Sequence, residues 1–194
     1  MSRALDHLVV GAATLAEGVA WCERVLGATP GPGGKHGLMG THNRLLDISG
    51  PHHPRVYLEI IAIDPDAPLP GRARWFDLDQ PALRERLARG PGLIHWVARV
   101  PDLDAALARW RGEGHDAGEA VEASRGNLRW RIALREDGRR LCREALPVLI
   151  EWGEAHPTDG MPESGVQLLG FEARDGLKAR LATPRGEVVL EAVG

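Results

Sequence analysis

LDHLVVGAATLAEGVAWCERVLG (5–27) and LIHWVARVPDLDAALARWRGEGH (93–115) are two copies of one pattern, an apolar strand followed by an amphipathic helix. The first helix is bounded by Thr14 and Gly27, and the second opens at the N-cap residue Asp102. A superposition without gaps keeps the apolar register, pairing His7 with His95, Val9 with Val97, Leu15 with Leu103 and Val19 with Leu107. Because internal repeats determine architecture, we predict two equivalent modules.

Strand-like runs follow each helix. They are NRLLDI (43–48) and RVYLEIIAI (55–63) in the first half, and LRWRIAL (128–134) and PVLIEW (147–152) in the second. Runs of this length, rich in β-branched and aromatic residues, predict strands, and the charged loop REDGRRLCREA (135–145) predicts a hairpin connection. Each half is therefore expected to contain a strand, a helix and two or three further strands, which makes the fold α+β.

The repeat also sets the predicted domain boundaries. The first module covers residues 1–63 and the second covers residues 93–157. Between them, residues 64–92 are rich in Pro and Gly and have one short amphipathic helix around 80–88, which predicts a packed linker. Residues 158–194 contain three more strand-like runs, which we expect to extend a sheet as a C-terminal addition.

Composition and charge exclude several classes of protein. The 24 glycines and 14 prolines indicate many turns and short strands rather than a helix bundle. A net charge of −3 predicts no non-specific attraction to nucleic acid or to an anionic membrane. The apolar stretch near the N-terminus is interrupted by Asp6 and is too short for a signal sequence or a membrane span. We expect a cytoplasmic protein with a small-molecule partner; a homodimer stays open.

The two cysteines do not predict a redox or metal site. Cys22 lies in the first helical pattern and Cys142 in a charged loop, so they form neither a CxxC pair nor a disulfide framework. We expect both to be incidental.

Two His–Glu pairs are the candidates for chemistry. His7 lies on the first strand of the first half and Glu59 on its last strand, where Leu58 and Ile60 are expected to face the helix and Glu59 the opposite side. A carboxylate in so apolar a strand needs a partner. The second half repeats this placement with His95 and Glu151. If the halves pack face to face, these four side chains can converge on one divalent cation, either Zn, Ni, Fe, Mn or Co.

Structural interpretations of the same residues remain open. A histidine on a strand is often a hydrogen-bonded core residue, and either glutamate can pair with an arginine across the strands. The six tryptophans are more typical of a core than of a binding site. His156, just past Glu151, is either a group that supports a ligand or a turn residue. The repetition of all four residues at equivalent positions favours a shared site, with or without a metal.

Further residues are candidates for substrate binding. The glycine-rich loop GGKHGLMGTHN (33–43) ends in His42 and Asn43, and it is predicted either to close over a ligand or to form a locally hydrogen-bonded turn. In LRWRIAL, alternation puts Arg129 and Arg131 on one face; if the apolar face meets the helix, both arginines point into the cavity. There they bind a substrate carboxylate or phosphate, or neutralise Glu59 or Glu151.

The chain resembles a known superfamily. The double unit, with GGKHGLMGTHNRLLDI (33–48), YLEIIAIDP (57–65), LRWRIAL (128–134) and PVLIEWGEAHP (147–157), is similar to the glyoxalase-like domain group of the vicinal oxygen chelate superfamily, over nearly the whole chain. The resemblance implies paired βαβββ modules that form an open, barrel-like cavity for a metal and a small substrate. It also implies that the metal ligands, as in glyoxalase I, are His7, Glu59, His95 and Glu151.

This resemblance leads to a functional expectation. A metal-dependent lyase or isomerase would polarise vicinal oxygens of a small oxygenated metabolite and stabilise an enediolate-like anion, with a metal-ligating Glu59 or Glu151 as the catalytic base. The divalent metal would be Ni, Zn, Co, Mn or Fe. One alternative is a non-catalytic protein that sequesters a small molecule in the same cavity; another is an Fe(II) extradiol-type dioxygenase. The resemblance does not indicate a substrate.

Overall fold

The first half of the chain forms the predicted strand–helix–strand unit. The computed structural model describes residues 4–141, 145–174 and 176–192; Cys142 lies outside them. The helix begins with a capping box, in which Thr14 and Glu17 each accept a hydrogen bond from the other's backbone N–H. It ends at Gly27, whose left-handed backbone conformation favours glycine. The elements are β1 (Ala4–Gly11), α1 (Leu15–Leu26), β2 (Lys35–His36), β3 (Thr41–Asp47) and β4 (Tyr57–Ile63).

The linker and the second half follow the same plan. Asp102 caps the second long helix through a hydrogen bond from the backbone N–H of Ala105. The elements are α2 (Pro81–Leu87) in the linker, then β5 (Gly92–Arg99), α3 (Leu103–Gly112), β6 (Glu119–Arg125), β7 (Leu128–Leu134) and β8 (Val148–Trp152). A short 3₁₀ helix, Pro157–Gly160, comes next, and the chain continues with β9 (Gln167–Glu172), β10 (Lys178–Thr183) and β11 (Gly186–Glu191).

The two halves share one curled, open sheet. Its strand order is β2-β3-β4-β1-β5-β8-β7-β6, so the first strands of the two modules pair at its centre. β1 and β5 run antiparallel, whereas β1–β4 and β5–β8 are parallel. The fold is therefore α+β, with an open, barrel-like sheet and extra C-terminal strands, as the sequence predicts.

The two faces of this sheet have different neighbours. On the outer face, Leu8, Leu58 and Ile60 pack in a core with residues of α1, and Leu149 packs in another with residues of α3. The inner face curls around a third apolar cluster, which includes Val9, Ile61 and the linker residues Trp75 and Phe76. This division of faces determines which side chains line the cavity.

The structure adds two strands to the predicted set and changes one expected pairing. Strands β2 and β6, at the two edges of the sheet, were not predicted, because their short, mostly polar sequences lack a buried apolar face. The three C-terminal strands form a separate sheet in the order β11-β10-β9 rather than an extension of the first. Their apolar side chains, such as Leu168 and Leu181, join the core around α1.

In the part of the chain that the structure describes, no helix is both long and apolar enough to cross a membrane.

Candidate active site

His7 and Glu59 lie side by side on the inner face of the first module. His7 Nε2 is 3.6 Å from Glu59 Oε2, and the two residues are only 4% and 5% exposed. Strand β4 alternates as predicted, since Leu58 and Ile60 pack towards α1 while Glu59 faces the cavity. The pair brings an imidazole nitrogen and a carboxylate oxygen to one point of the cavity.

Asp6 orients His7. In the β1–β5 pairing, Leu5 is opposite Ala98 and His7 is opposite Val97, so Asp6 is the unpaired residue of a β-bulge. Asp6 Oδ1 accepts a hydrogen bond of 2.7 Å from His7 Nδ1. This contact fixes the imidazole and leaves its Nε2 facing Glu59.

The Asp6 carboxylate is completely buried but well supplied with donors. Its Oδ2 accepts hydrogen bonds from Trp152 Nε1 at 3.0 Å and from His156 Nε2 at 3.1 Å. Burial by itself raises the pKa of Asp6, yet the hydrogen bonds from His156 and His7 outweigh it and hold the pKa well below its ordinary value. Asp6 therefore carries its negative charge in the folded protein. His156 contacts Asp6 through Nε2 and also caps the short 3₁₀ helix, as a turn residue does.

Asn43 positions the Glu59 carboxylate. Its Nδ2 donates to Glu59 Oε1 at 2.6 Å and contacts His36 Nε2 at 3.3 Å, while its Oδ1 accepts from the backbone N–H of Gly34 at 2.8 Å. His36 Nδ1 lies 3.0 Å from Thr41 Oγ1. Burial lowers the pKa of His36 to about 4, so this imidazole is neutral at pH 7. The glycine-rich loop is thus held against the site by its own side chains.

Gly33 lets this loop approach Asn43. A Cβ on Gly33 would lie 2.0 Å from the backbone oxygen of Asn43, whereas one on Gly37 would meet nothing within 4 Å. We expect Gly33→Ala to lower the free energy of unfolding by about 1–3 kcal/mol, because the loop has to move away from Asn43. Urea denaturation measures this, with Gly37→Ala as the matched control; equal effects of the two substitutions would contradict the close approach.

The cavity at this site has a polar half and an apolar half. Apart from Arg125, the polar side chains come from the first module, and the opposite wall is formed by Trp75 and Phe76 of the linker with Trp130, Ile132, Ile150 and Trp152 of the second module. The narrow cleft between them has a volume of about 30 Å³. It shares wall residues with a groove of about 580 Å³ on one side and a pocket of about 270 Å³ on the other.

Comparisons with known proteins agree with this architecture. The glyoxalase-like domain family matches residues 5–183. The chain belongs to the glyoxalase-like group of the vicinal oxygen chelate superfamily. No curated protein matches the sequence significantly.

Several solved structures are similar to this glyoxalase-like chain. A hypothetical protein from Staphylococcus aureus has a TM-score of 0.57 at 14% identity, covering 98% of this chain and 86% of that one. A methylmalonyl-CoA epimerase in complex with methylmalonyl-CoA and NH4+ has a TM-score of 0.51 at 17% identity. A variant of the Streptomyces coelicolor methylmalonyl-CoA epimerase has a TM-score of 0.50 at 18% identity. Each comparison covers 80% of this chain and 99% of the epimerase. At these identities the likeness concerns the fold.

The structure separates Glu151 from the cavity. Glu151 lies on the outer face of β8, and its Oε2 accepts a hydrogen bond of 2.7 Å from the backbone N–H of Leu103, the first residue of α3. A carboxylate at a helix N-terminus is stabilised by the unpaired N–H groups and the helix dipole there. The prediction that Glu151 and Glu59 converge is therefore wrong. The repeat preserves the strand but not the direction in which this side chain points.

Arg129 and Arg131 also lie on the outer face, contrary to expectation. Arg131 donates to both carboxylate oxygens of Asp104 on α3, at 2.7 and 2.9 Å, and lies 3.6 Å from Glu151. Arg129 is exposed and donates to the backbone oxygens of Gly126 and Leu128. The apolar side of β7, with Trp130 and Ile132, faces the cavity rather than the helix. The side of β7 that carries the two arginines therefore faces α3 and solvent.

His42 and Asn43 point to opposite faces of β3. Asn43 lines the cleft and bonds to Glu59, but neither wall of the cleft includes His42. Successive side chains of a strand alternate, so the predicted pair cannot both face one ligand. The His42 side chain therefore points away from the site.

His95 lies beneath the linker rather than in the cleft. It is fully buried, and its ring centroid is 5.7 Å from that of Phe76, a cleft-wall residue. Among the described side chains, neither ring nitrogen has a hydrogen-bond partner. Burial lowers the pKa of His95 to about 3, helped by the charge of nearby Arg140. His95 is a neutral, buried imidazole at pH 7.

The predicted ligand set does not fit a single metal centre. His7 and Glu59 are adjacent, but Glu151 is engaged with α3 and His95 is covered by Phe76. No group of three or more His, Cys, Asp or Glu side chains is placed to hold a metal ion in residues 4–141, 145–174 and 176–192. Among these described residues the four-ligand set of His7, Glu59, His95 and Glu151 is not assembled.

Three side chains of the site were not predicted to function there. In the sequence, Asp6 is a charge that interrupts an apolar strand, and a charge at such a position next to His7 is itself a signal. His36 is one residue of the glycine-rich loop, and nothing in its spacing distinguishes it. Arg125 lies at the end of β6, a strand that the sequence pattern did not reveal.

Proposed function

We propose that this protein is an isomerase or lyase that removes a proton next to a carbonyl group of a small oxygenated metabolite. The observation that carries the proposal is the buried pair of His7 Nε2 and Glu59 Oε2, 3.6 Å apart in a cleft with Asp6 behind the histidine. Enolisation requires a base that removes the proton from carbon and an acid that stabilises the carbonyl oxygen of the same substrate.

Glu59 is the proposed base. Asn43 holds its Oε1, and its Oε2 faces the cleft. When Oε2 takes the proton, the C–H electron pair forms a carbon–carbon double bond and the carbonyl oxygen gains negative charge. In an isomerase, Glu59 then returns the proton to the same carbon or to the former carbonyl carbon. In a lyase, the anion re-forms the carbonyl group, a new double bond forms to the next carbon along the chain, and the leaving group departs from that carbon with its bonding electrons and takes up the proton. The resulting anion is the enediolate-like species that the sequence indicates.

His7 is the proposed electrophile. His7 donates Nδ1–H to the charged Asp6, which fixes the ring, and an N–H at Nε2 is directed at the developing oxyanion. The aromatic wall opposite restricts water around the pair, which strengthens its electrostatic interactions.

The structural neighbours add support only to the fold. The two epimerases are in complex with 2-nitronate-propionyl-CoA and methylmalonyl-CoA, and at 17–18% identity they do not indicate a substrate for this chain. A divalent metal cofactor, a cytoplasmic location and a homodimer remain predictions from the sequence. A small-molecule substrate agrees with the narrow cleft and the pocket of about 270 Å³ beside it.

Hydrogen–deuterium exchange tests the proposal. Small 2-oxo acids and hydroxyketones are incubated with the protein in D₂O, with and without chelator or added divalent metal, and the loss of C–H signals is followed by proton NMR. We expect the wild type to accelerate exchange of at least one compound, and Glu59→Gln to reduce it at least about a hundredfold.

Glu151→Gln is the matched control, since it removes an equivalent carboxylate from the opposite face of the sheet. It should keep the wild-type exchange rate. Undiminished exchange by Glu59→Gln would refute the role of Glu59. Binding without exchange of any compound would favour the sequestering protein.

A further inference from the structure

Arg125 is a positive charge at the edge of the proposed site. It is half-buried on the inner face of β6, and it lines both the cleft with Glu59 and the adjoining groove of about 580 Å³. Its Nη1 lies 3.3 Å from Asn43 Oδ1, so the guanidinium is directed towards the catalytic side chains. No carboxylate of the described residues lies within 4 Å of this guanidinium, unlike Arg131 and Arg135, which are paired with aspartates.

The cleft shares wall residues, among them Trp130 and Ile132, with a second pocket of about 270 Å³. The wall of this pocket combines apolar side chains, such as Leu38 and Val121, with charged ones such as Lys35 and Glu122. Arg125 and Val121 lie four residues apart on β6, which corresponds to about 13 Å along a strand. The site therefore has three parts: a guanidinium, the His7–Glu59 pair and an adjoining pocket whose apolar wall includes Trp130.

We propose that the substrate is a small monocarboxylate with an apolar, aryl-sized body, whose carboxylate binds Arg125 and whose body lies in the pocket beside Trp130. The inference rests on the proposed function and specifies the substrate class of the same site. The reacting carbon then lies between the two ends, at Glu59. A guanidinium binds a carboxylate through two parallel hydrogen bonds, which also fixes the direction of the ligand.

A single negative charge fits this site better than a phosphate group. Glu59 lies in the same cleft as Arg125, and Asp6 is behind His7. A doubly charged group would be repelled by these carboxylates and would meet one arginine. The cleft volume of about 30 Å³ also accommodates only a few atoms, which suits a planar carboxylate and its neighbouring carbon.

The probe is 3-phenylpropionate, compared with its neutral amide and with propionate. Binding is measured by quenching of tryptophan fluorescence and by calorimetry. We expect saturable binding of 3-phenylpropionate in the millimolar range or below, with the amide and propionate each at least about tenfold weaker. Arg125→Gln should weaken 3-phenylpropionate at least about tenfold and leave the amide unchanged.

Matched variants separate the two ends of the site. Arg129→Gln removes an exposed arginine on the outer face of the sheet and should bind like the wild type. Leu38→Ser, at a pocket residue that is 49% exposed, should weaken 3-phenylpropionate but not propionate, whereas Leu69→Ser, at 88% exposure, should change neither.

The outcomes distinguish substrate class from chemistry. Equal binding of acid and amide, an unchanged affinity in Arg125→Gln or no saturable binding would overturn this proposal. Glu59→Gln should still bind 3-phenylpropionate. Carboxylate-selective binding in a protein that exchanges no C–H proton would therefore contradict the proposed reaction and leave the substrate class standing.

Discussion

Acidification from pH 7 to about pH 4.5 is expected to lower the free energy of unfolding by about 5 kcal/mol, because two buried imidazoles stay uncharged in the folded protein. The pKa is lowered from 6.5 to about 4 in His36 and from 6.5 to about 3 in His95, in both cases chiefly by burial. Each imidazole contributes roughly half of the effect, since one pH unit corresponds to about 1.4 kcal/mol per group.

The sign follows from which state binds protons. As the pH falls through 6.5, the unfolded chain protonates both imidazoles, whereas the folded chain does not until about pH 4 at His36 and about pH 3 at His95. The contribution of these two neutral imidazoles to the free energy of unfolding is therefore fully present above pH 6.5 and is lost progressively below it. Asp6 does not contribute in this window, because its pKa is lowered from 3.8 and its own contribution is lost only below that value.

Urea denaturation at a series of pH values measures this effect. His95→Leu should keep the wild-type stability at pH 7 within about 1 kcal/mol, since an apolar side chain replaces an imidazole without hydrogen bonds, and it should remove about half of the acid destabilisation. His52→Gln, at an exposed histidine, should leave the pH profile unchanged. A His95→Leu profile as steep as the wild-type profile would contradict the buried, neutral state of His95.

The fold was predictable to the extent that apolar periodicity encodes it. The strand–helix repeat and the cavity-facing Glu59 follow from alternating or helical patterns with one clearly apolar face. In strand β8 the pattern is ambiguous, because Leu149 packs against α3 while Ile150 and Trp152 face the cavity. Because both faces of β8 carry apolar residues, the alternation along this strand does not indicate which face Glu151 lies on.

The unpredicted part of the site depends on long-range geometry. Asp6 reaches His7 through a β-bulge, and a bulge depends on the pairing of β1 with β5 rather than on local residues. Arg125 lies on an edge strand of small and polar residues, which resembles a loop in sequence. The repeat also predicts equal chemistry in the two halves, whereas in the structure the His7–Glu59 pair belongs to the first half and the aromatic wall belongs to the linker and the second half.

This division explains how a duplicated architecture forms one asymmetric site. One surface of the cleft is polar and hydrogen-bonded and carries the proposed acid and base, and the surface opposite is largely apolar and restricts water. An ion-pair network links β7, β8 and α3, in which Arg131 contacts both Glu151 and Asp104. The second module thus stabilises the fold on its outer face and shapes the cavity on its inner face.

Asp6→Ala is expected to lower the free energy of unfolding by about 3–5 kcal/mol, because it removes one member of a buried charge network and leaves the others unpaired. His7, His156 and Trp152 all direct N–H groups at this carboxylate, and Arg99 Nη1 lies 3.6 Å from its Oδ2. Loss of these contacts also frees the His7 ring, so proton exchange by the proposed site should fall together with stability.

Two further variants keep the Asp6 prediction testable. Asp6→Asn preserves the shape and one acceptor oxygen, so it should fold even if Asp6→Ala does not, with a smaller loss of stability and reduced proton exchange. Asp104→Ala removes an exposed carboxylate that pairs with Arg131 and should cost less than about 1 kcal/mol. Urea denaturation at pH 7 compares the three. An Asp6→Ala effect no larger than that of Asp104→Ala would mean that the buried contacts do not hold the site together.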